Sequence, residues 1–217
     1  MFRLFSSFLL TILLAAAAPV SAAEDNFQLW LNPSVTFDLD DDTGVEIETS
    51  MRFRSAEDGP DTYYARLWLF QTLSPNFTIG GAVERRINDG ANDETRLLQQ
   101  IAAKSGVLRA RVRLEQRFVD DAGQTGWRIR TRLGVNVPLG SDDRWALIAD
   151  AEPFFTLRPT SSGGQKGLTT FRTQVGVNYA ATERLELGLI YLRNQDVRDG
   201  RQDRVSHVPL LTAELAF

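Results

Sequence analysis

The strongest constraint on this chain is the period with which apolar and charged residues trade places. Between residues 109 and 118, Ala110, Val112, Leu114 and Phe118 hold one parity, while Arg109, Arg111, Arg113, Glu115 and Arg117 hold the other. Successive side chains of a β-strand point to opposite faces, so such a run presents one greasy face and one charged face. The same rule governs Trp127, Ile129, Leu133, Val135 and Val137 against Arg128, Arg130, Arg132 and Asn136. It returns in Val45, Ile47, Met51 and Phe53 against Glu46, Glu48, Arg52 and Arg54, then in Phe171, Val175, Val177 and Tyr179 against Arg172, Gln174 and Asn178. Leu185, Leu187, Leu189 and Tyr191 share a parity, and the last stretch ends Leu211, Ala213, Leu215, Phe217.

Eleven segments of this kind read as strands, at about 27–39, 44–54, 62–72, 77–87, 95–103, 107–118, 127–137, 145–157, 169–180, 184–195 and 204–217. Each is roughly ten residues or a little longer, the length a tilted membrane strand needs. The connections alternate between tight ones, such as Leu73-Ser74-Pro75-Asn76 and Ala103-Lys104-Ser105-Gly106, and longer polar ones, such as Val119 to Gly126 and Arg158 to Gly167. Short turns on one rim and long loops on the other are what an outer-membrane barrel shows. Single-chain bacterial barrels usually have an even number of strands, so ten to twelve are expected here. Ten strands counted back from Phe217 leave the segment around Trp30 over: either it is an arm or plug, or a strand is missed or merged in the count; Pro33 within it argues for an irregular or edge position.

The amino terminus runs Met1-Phe2-Arg3, then apolar from Leu4 through Ala18, then Pro19-Val20-Ser21-Ala22-Ala23. A basic start, a greasy middle and small residues at a cut site predict a cleaved signal peptide over residues 1–23, with the barrel over 24–217. Removing the leader takes away Arg3 and no acid, so 24 basic and 28 acidic residues become 23 and 28, and the charge moves from −4 to −5. That sign argues against nucleic acid as a partner. The absence of cysteine rules out disulfides and thiolate catalysis, and a single histidine rules out a histidine-rich metal site, so no metal and no cofactor is expected.

Alternation alone does not say which face is enclosed, since a secreted soluble barrel or sandwich would bury the apolar side and expose the arginines. Two features predict the inverted arrangement. Aromatic residues of the apolar parity sit near strand ends (Tyr63, Phe77, Trp127, Trp145, Phe171, Tyr191), as membrane-interface girdles require. The terminal Leu211, Ala213, Leu215 and Phe217 resemble the signal read by the bacterial barrel-insertion machinery. The expected fold is therefore an all-β, antiparallel transmembrane barrel in the bacterial outer membrane, with outer-membrane lipid and that machinery as partners.

Further resemblance lies in Arg111-Val112-Arg113-Leu114-Glu115-Gln116-Arg117-Phe118 and Trp127-Arg128-Ile129-Arg130-Thr131-Arg132-Leu133, together with Leu29-Trp30 and Asp150-Ala151-Glu152-Pro153-Phe154. These segments resemble a family of small proteobacterial outer-membrane proteins of uncharacterised function. The resemblance covers essentially the whole mature chain and implies location and fold, with no activity and no catalytic residue.

By parity the candidate lumen residues are Arg109, Arg111, Arg113, Glu115, Arg117, Arg128, Arg130, Arg132, Asp150, Glu152 and Arg172, with Arg52, Arg54, Arg66, Arg86, Glu46, Glu48, Glu84, Glu186 and Glu214 joining them. One reading fills the lumen with crossed ion pairs that satisfy otherwise costly buried charge. Another makes it a narrow passage in which the arginine excess of residues 107–137 favours a small anionic solute, because guanidinium groups fix carboxylate and phosphate in a forked geometry. A lipid-modifying enzyme would need a nucleophile near the sole histidine, His207, but Ser206 points to the opposite face and the same-face neighbours Val205 and Pro209 are not nucleophiles; only a distant Ser161 or Ser162 remains. Asp150 and Glu152 share a face, where arginine pairing explains them more cheaply than acid–base work does. The acidic run Asp38-Leu39-Asp40-Asp41-Asp42 lacks the spacing of a dedicated calcium loop and reads as a solvated turn. Gly80-Gly81 and Gly163-Gly164 read as strand thinning and loop flexibility.

Overall fold

A sheet whose strands each carry one charged and one greasy face leaves exposed edges unless it closes on itself. Here it closes. The computed structural model describes residues 23–55, 59–141 and 144–217, so the leader expected over 1–23 lies, apart from Ala23, outside the described residues. Every regular element described is a strand: β1 (Glu24–Asp38), β2 (Thr43–Arg54), β3 (Thr62–Ser74), β4 (Phe77–Asn88), β5 (Glu94–Ser105), β6 (Leu108–Val119), β7 (Gly126–Leu139), β8 (Trp145–Arg158), β9 (Gly167–Ala180), β10 (Leu185–Asp196) and β11 (Arg204–Ala216). They form one closed barrel in chain order, antiparallel throughout except where β11 meets β1.

That last pairing corrects the reading of the segment around Trp30. It is neither arm nor plug but a wall strand of 15 residues, with Trp30 opposite Leu210 on one side and Arg52 on the other. Eleven strands joined by simple hairpins leave the first and last running the same way, so an odd count forces a parallel seam. Pro33, expected at an irregular or edge position, is at no edge: it lies inside this seam opposite Ala213, where the pairing with β2 is irregular. The ladder to β2 skips Asn32 and Pro33 and resumes at Ser34–Glu48. Side chains bridge the gap: Ser50 donates to Asn32 Oδ1 at 2.6 Å and Thr49 to the Pro33 carbonyl at 3.3 Å.

The turns after β1, β3, β5, β7 and β9 lie at one rim with Phe217, and the longer connections lie at the other with Glu24. Polarity is inverted relative to a soluble protein. Leu67, Leu69, Val83, Ile101, Val112, Leu133, Val175 and Leu189 stand on the outer surface, while Arg66, Glu84, Arg96, Arg113, Glu115, Arg130 and Glu152 are buried within. Gly80, read as strand thinning, faces the lumen beneath Phe70, whose ring would lie 2.6 Å from any added Cβ. Outward aromatics gather at both ends. Phe27, Phe53, Tyr63, Phe118, Trp127, Phe155, Phe171 and Tyr191 lie toward the loop rim; Phe37, Phe77, Trp145, Tyr179 and Phe217 lie toward the turn rim.

Candidate functional site

The lumen is built from the register. Arg66 faces Glu84 across β3 and β4, Glu84 faces Arg96 across β4 and β5, and Arg128 faces Glu115 across β6 and β7. Each carboxylate is then shared. Glu84 binds Arg66, Arg86 (2.9 Å) and Arg96 (3.4 Å). Glu115 accepts from Arg128 (2.5 Å) and Arg130 (2.8 Å), and Glu152 from Arg111 (2.5 Å), Arg130 (2.8 Å) and Arg132 (3.2 Å). All three carboxylates are fully buried behind their arginines. Removing a charge from water is expensive, and two or three guanidinium partners per carboxylate are what makes this burial tolerable.

The other residues expected in the lumen also face it. Arg117 binds Glu94 at 2.5 Å, Asp150 accepts from Gln174 at 2.7 Å and pairs with Arg132 at 3.6 Å, and Arg113 donates to Gln100 Oε1 at 2.6 Å. Arg172 donates to Asn194 Oδ1 at 3.0 Å. Arg109 sits at the turn rim, half-buried, donating to the carbonyls of Gly106 (2.5 Å) and Leu108 (2.9 Å). Glu94 and Arg96, paired at 2.5 Å, belong to the same network although parity reading passed over them. Their strand begins at Glu94 and carries Leu97 and Leu98 on opposite faces, which blurs the alternation that would have marked them.

Three arginines deeper in the lumen than Arg109 differ from their neighbours. Among the described residues no carboxylate lies within ion-pair distance of Arg52, Arg113 or Arg172. Amide oxygens, a hydroxyl and aromatic faces hold them instead: the Arg52 guanidinium carbon is 3.8 Å from the Trp30 ring centre, that of Arg172 is 5.1 Å from the same ring and 4.9 Å from Phe154, and that of Arg113 is 4.7 Å from Trp68. Cation–π contact of this kind supports a guanidinium without neutralising it.

Across the barrel the wall changes character. Trp30, Leu210, Ile190, Gly176 and Ile148 are successive partners around β1, β11, β10, β9 and β8, forming one row of largely apolar residues on the inner face. Leu192 and Val208 adjoin it and are fully buried. Between the two walls lies a cavity of about 760 Å³, reaching from Arg54, Asp196 and Arg204 at the loop rim to Glu46, Asn136 and Glu214 at the turn rim. Thirteen arginines line it, against five carboxylates, those of Glu46, Glu48, Asp150, Asp196 and Glu214.

On the outer face, His207 has a neighbour that single-strand reasoning could not supply. Its Nδ1 lies 2.6 Å from the Tyr191 hydroxyl on β10, and its Nε2 lies 3.5 Å from Asp25 across the seam. The hydroxyl beside the histidine is thus a tyrosine's. Leu211, Ala213 and Leu215 face outward on β11, and Phe217 stacks on Phe37 with ring centres 5.6 Å apart. In the acidic turn, Asp40 Oδ1 accepts from the amides of Asp42 (2.9 Å) and Thr43 (2.7 Å), chiefly the former of which holds its carboxyl below the usual range.

Residues 27–205 match the family described as protein of unknown function DUF2490. No curated protein matches the chain.

Proposed function

Since the chain belongs to that family, which brings no activity with it, we propose from the barrel itself that the protein resides in the bacterial outer membrane and that its lumen is a narrow, anion-favouring passage. A wall of 12 to 15 residues per strand, at about 3.3 Å rise and roughly 40° tilt, spans about 30 Å at its shortest strands, enough to cross a hydrocarbon core. The outward leucines, valines and isoleucines between two aromatic girdles suit lipid on that scale. A closed barrel also leaves no backbone group unpaired in lipid. The outward Leu211, Ala213 and Leu215, with Phe217 at the turn rim, support insertion by the barrel-assembly machinery, with that rim in the periplasm.

The observation that carries the passage reading is how charge is distributed with depth. Glu84, Glu115 and Glu152 lie behind the guanidinium groups and do not reach the cavity, so its surface is far more positive than the lumen's composition. A lining of this sign lowers the cost of an anion entering and raises that of a cation. A second reading, a structural barrel cross-linked by ion pairs, draws on the same three carboxylates. The passage reading assigns no chemistry to His207.

Planar-bilayer recording of the refolded mature chain tests the proposal. Under a potassium chloride gradient the reversal potential should report chloride over potassium, and Arg113→Gln should reduce that preference, since Arg113 faces the cavity with no carboxylate partner among the described residues. Absence of conductance at every voltage would leave the structural barrel. A mature chain monomeric in plain buffer would sink the membrane reading itself.

A further inference from the structure

Among the described residues Arg52 and Arg172 have no carboxylate within ion-pair distance; they share the Trp30 ring and lie near enough to repel one another. A protein seldom holds two like charges together in a partly buried place with nothing between them. The nearby acids are committed: Glu84 to three arginines, and Glu152 to three others. Beside these two guanidinium groups runs the apolar row, of which Ile190, Leu192 and Leu210 line the same cavity. For water or a hydrated inorganic anion alone, an aliphatic row at mid-lumen is a poor lining. It suits a solute with an apolar body.

We propose that the lumen contains a binding site for small organic anions of the arylcarboxylate class. The carboxylate sits between Arg52 and Arg172, accepting from both guanidinium forks, and the ring lies against Ile190, Leu192 and Leu210. Asn194, which already accepts from Arg172 at 3.0 Å, fixes the orientation of that guanidinium. Gly176 leaves the row thin at its centre: a Cβ there would come within 2.5 Å of the Leu189 carbonyl and 2.6 Å of Ile190 Cα. A cavity of about 760 Å³ is within the size range of small-molecule sites and exceeds one ring and its carboxylate, so water accompanies the ligand. The site rests on the reading of the lumen as a cavity open to anions and adds what kind of anion it selects.

Calorimetric titration of the detergent-refolded chain with 2-naphthoate, inorganic phosphate and 2-naphthalenemethanol separates the contributions. Naphthoate should bind at least about tenfold more tightly than either other probe, because only it meets both the forks and the row. Its heat capacity change should be negative, the mark of apolar burial. Arg52→Gln with Arg172→Gln should weaken naphthoate about tenfold or more. Leu210→Asn should weaken naphthoate and leave phosphate unchanged. The two arginine variants are also made singly, so that a double variant unable to refold, as judged by migration of unheated against boiled protein, leaves the test standing. Naphthoate binding no tighter than phosphate, or unaffected by both single variants, overturns the site. Chloride-selective conductance without naphthoate binding removes the site and keeps the passage; naphthoate binding without conductance does the reverse.

Discussion

The two halves of the inner wall solve the same problem by opposite means. From β3 to β8 the lumen is filled mainly by arginine and glutamate around the buried Trp68 and Leu98, and Glu84, Glu115 and Glu152 are each shared among two or three guanidinium groups. From β9 through β11 to β1 the wall at mid-height is Trp30, Leu210, Ile190 and Leu192, with Gln28, Gln174, Asn194 and Ser206 above and beside them. The charged half is cross-linked, since each buried carboxylate joins arginines of neighbouring strands and Arg130 joins Glu115 to Glu152. The neutral half has weaker mutual claims and borders the cavity. A barrel only a little wider than an eight-stranded one is filled from one side and left open on the other.

The sharpest way to break this contrast is to remove a shared acid. Glu152→Gln keeps the shape but strands Arg111 and takes from Arg130 and Arg132 one of their two carboxylate partners, and should destabilise the barrel by about 3–5 kcal/mol, read as a fall in the urea midpoint of protein refolded into lipid vesicles. Loss below about 1 kcal/mol would mean that the network is solvated and does not hold the wall. On the neutral half Leu192→Ala removes packing alone and should cost about 2–3 kcal/mol, the lower part of the core range because the cavity beside it admits water. A cost above that of Glu152→Gln would reverse the ranking of the two walls.

The charged half was legible in the sequence and the neutral half was not, for one physical reason. In β6 arginine and aliphatic residues trade places without exception over residues 109–114, so parity alone tells inside from outside. In β10 and β11, Leu189, Ile190, Tyr191 and Leu192, then Val208, Pro209, Leu210 and Leu211, are apolar on both parities. A strand apolar on both faces carries no sign of which face is which. The loss of alternation there was itself the available signal for an apolar inner wall. The parallel seam was illegible for a different reason: local pattern specifies a strand and not its partner, and only closure of the whole barrel pairs β1 with β11. Tyr191 beside His207 is hidden in the same way, since cross-strand neighbours depend on register.

Packing of the row itself gives a smaller effect. Gly176→Ala forces a Cβ to within 2.5 Å of the Leu189 carbonyl and 2.6 Å of Ile190 Cα, both backbone atoms that cannot rotate away, and should cost about 1–3 kcal/mol in the same vesicle assay. Gly81→Ala is the control: its nearest neighbour would be the Leu98 carbonyl at 3.8 Å, and the urea midpoint should not fall. Equal effects would show that the curvature of the neutral wall does not depend on Gly176.

The smallest effect belongs outside both walls, at the loop rim, where Arg85 leaves the inward pattern and points out. It meets Asp93 Oδ2 at 3.0 Å and Asp120 at 2.9 and 3.3 Å, tying the loop after β4 to the loop after β6. All three side chains are substantially exposed, so water and salt screen the attraction and global stability should not register Arg85→Ala. The hydrogen bond from Arg85, and then its charge, hold the Asp120 carboxyl below the usual aspartate range. A carboxyl depressed in the folded state stabilises above its unfolded pKa, and that contribution is lost as the pH falls through the folded value. The tie between the loops is therefore present at neutral pH and disappears only in acid. Carbon-detected titration of Asp120 should show a midpoint below that of an ordinary aspartate in the wild type, and a return to the ordinary value in Arg85→Ala. An unchanged midpoint in the variant would mean that Arg85 does not hold the loops, and the contrast between paired interior and screened rim would lose its outer reference.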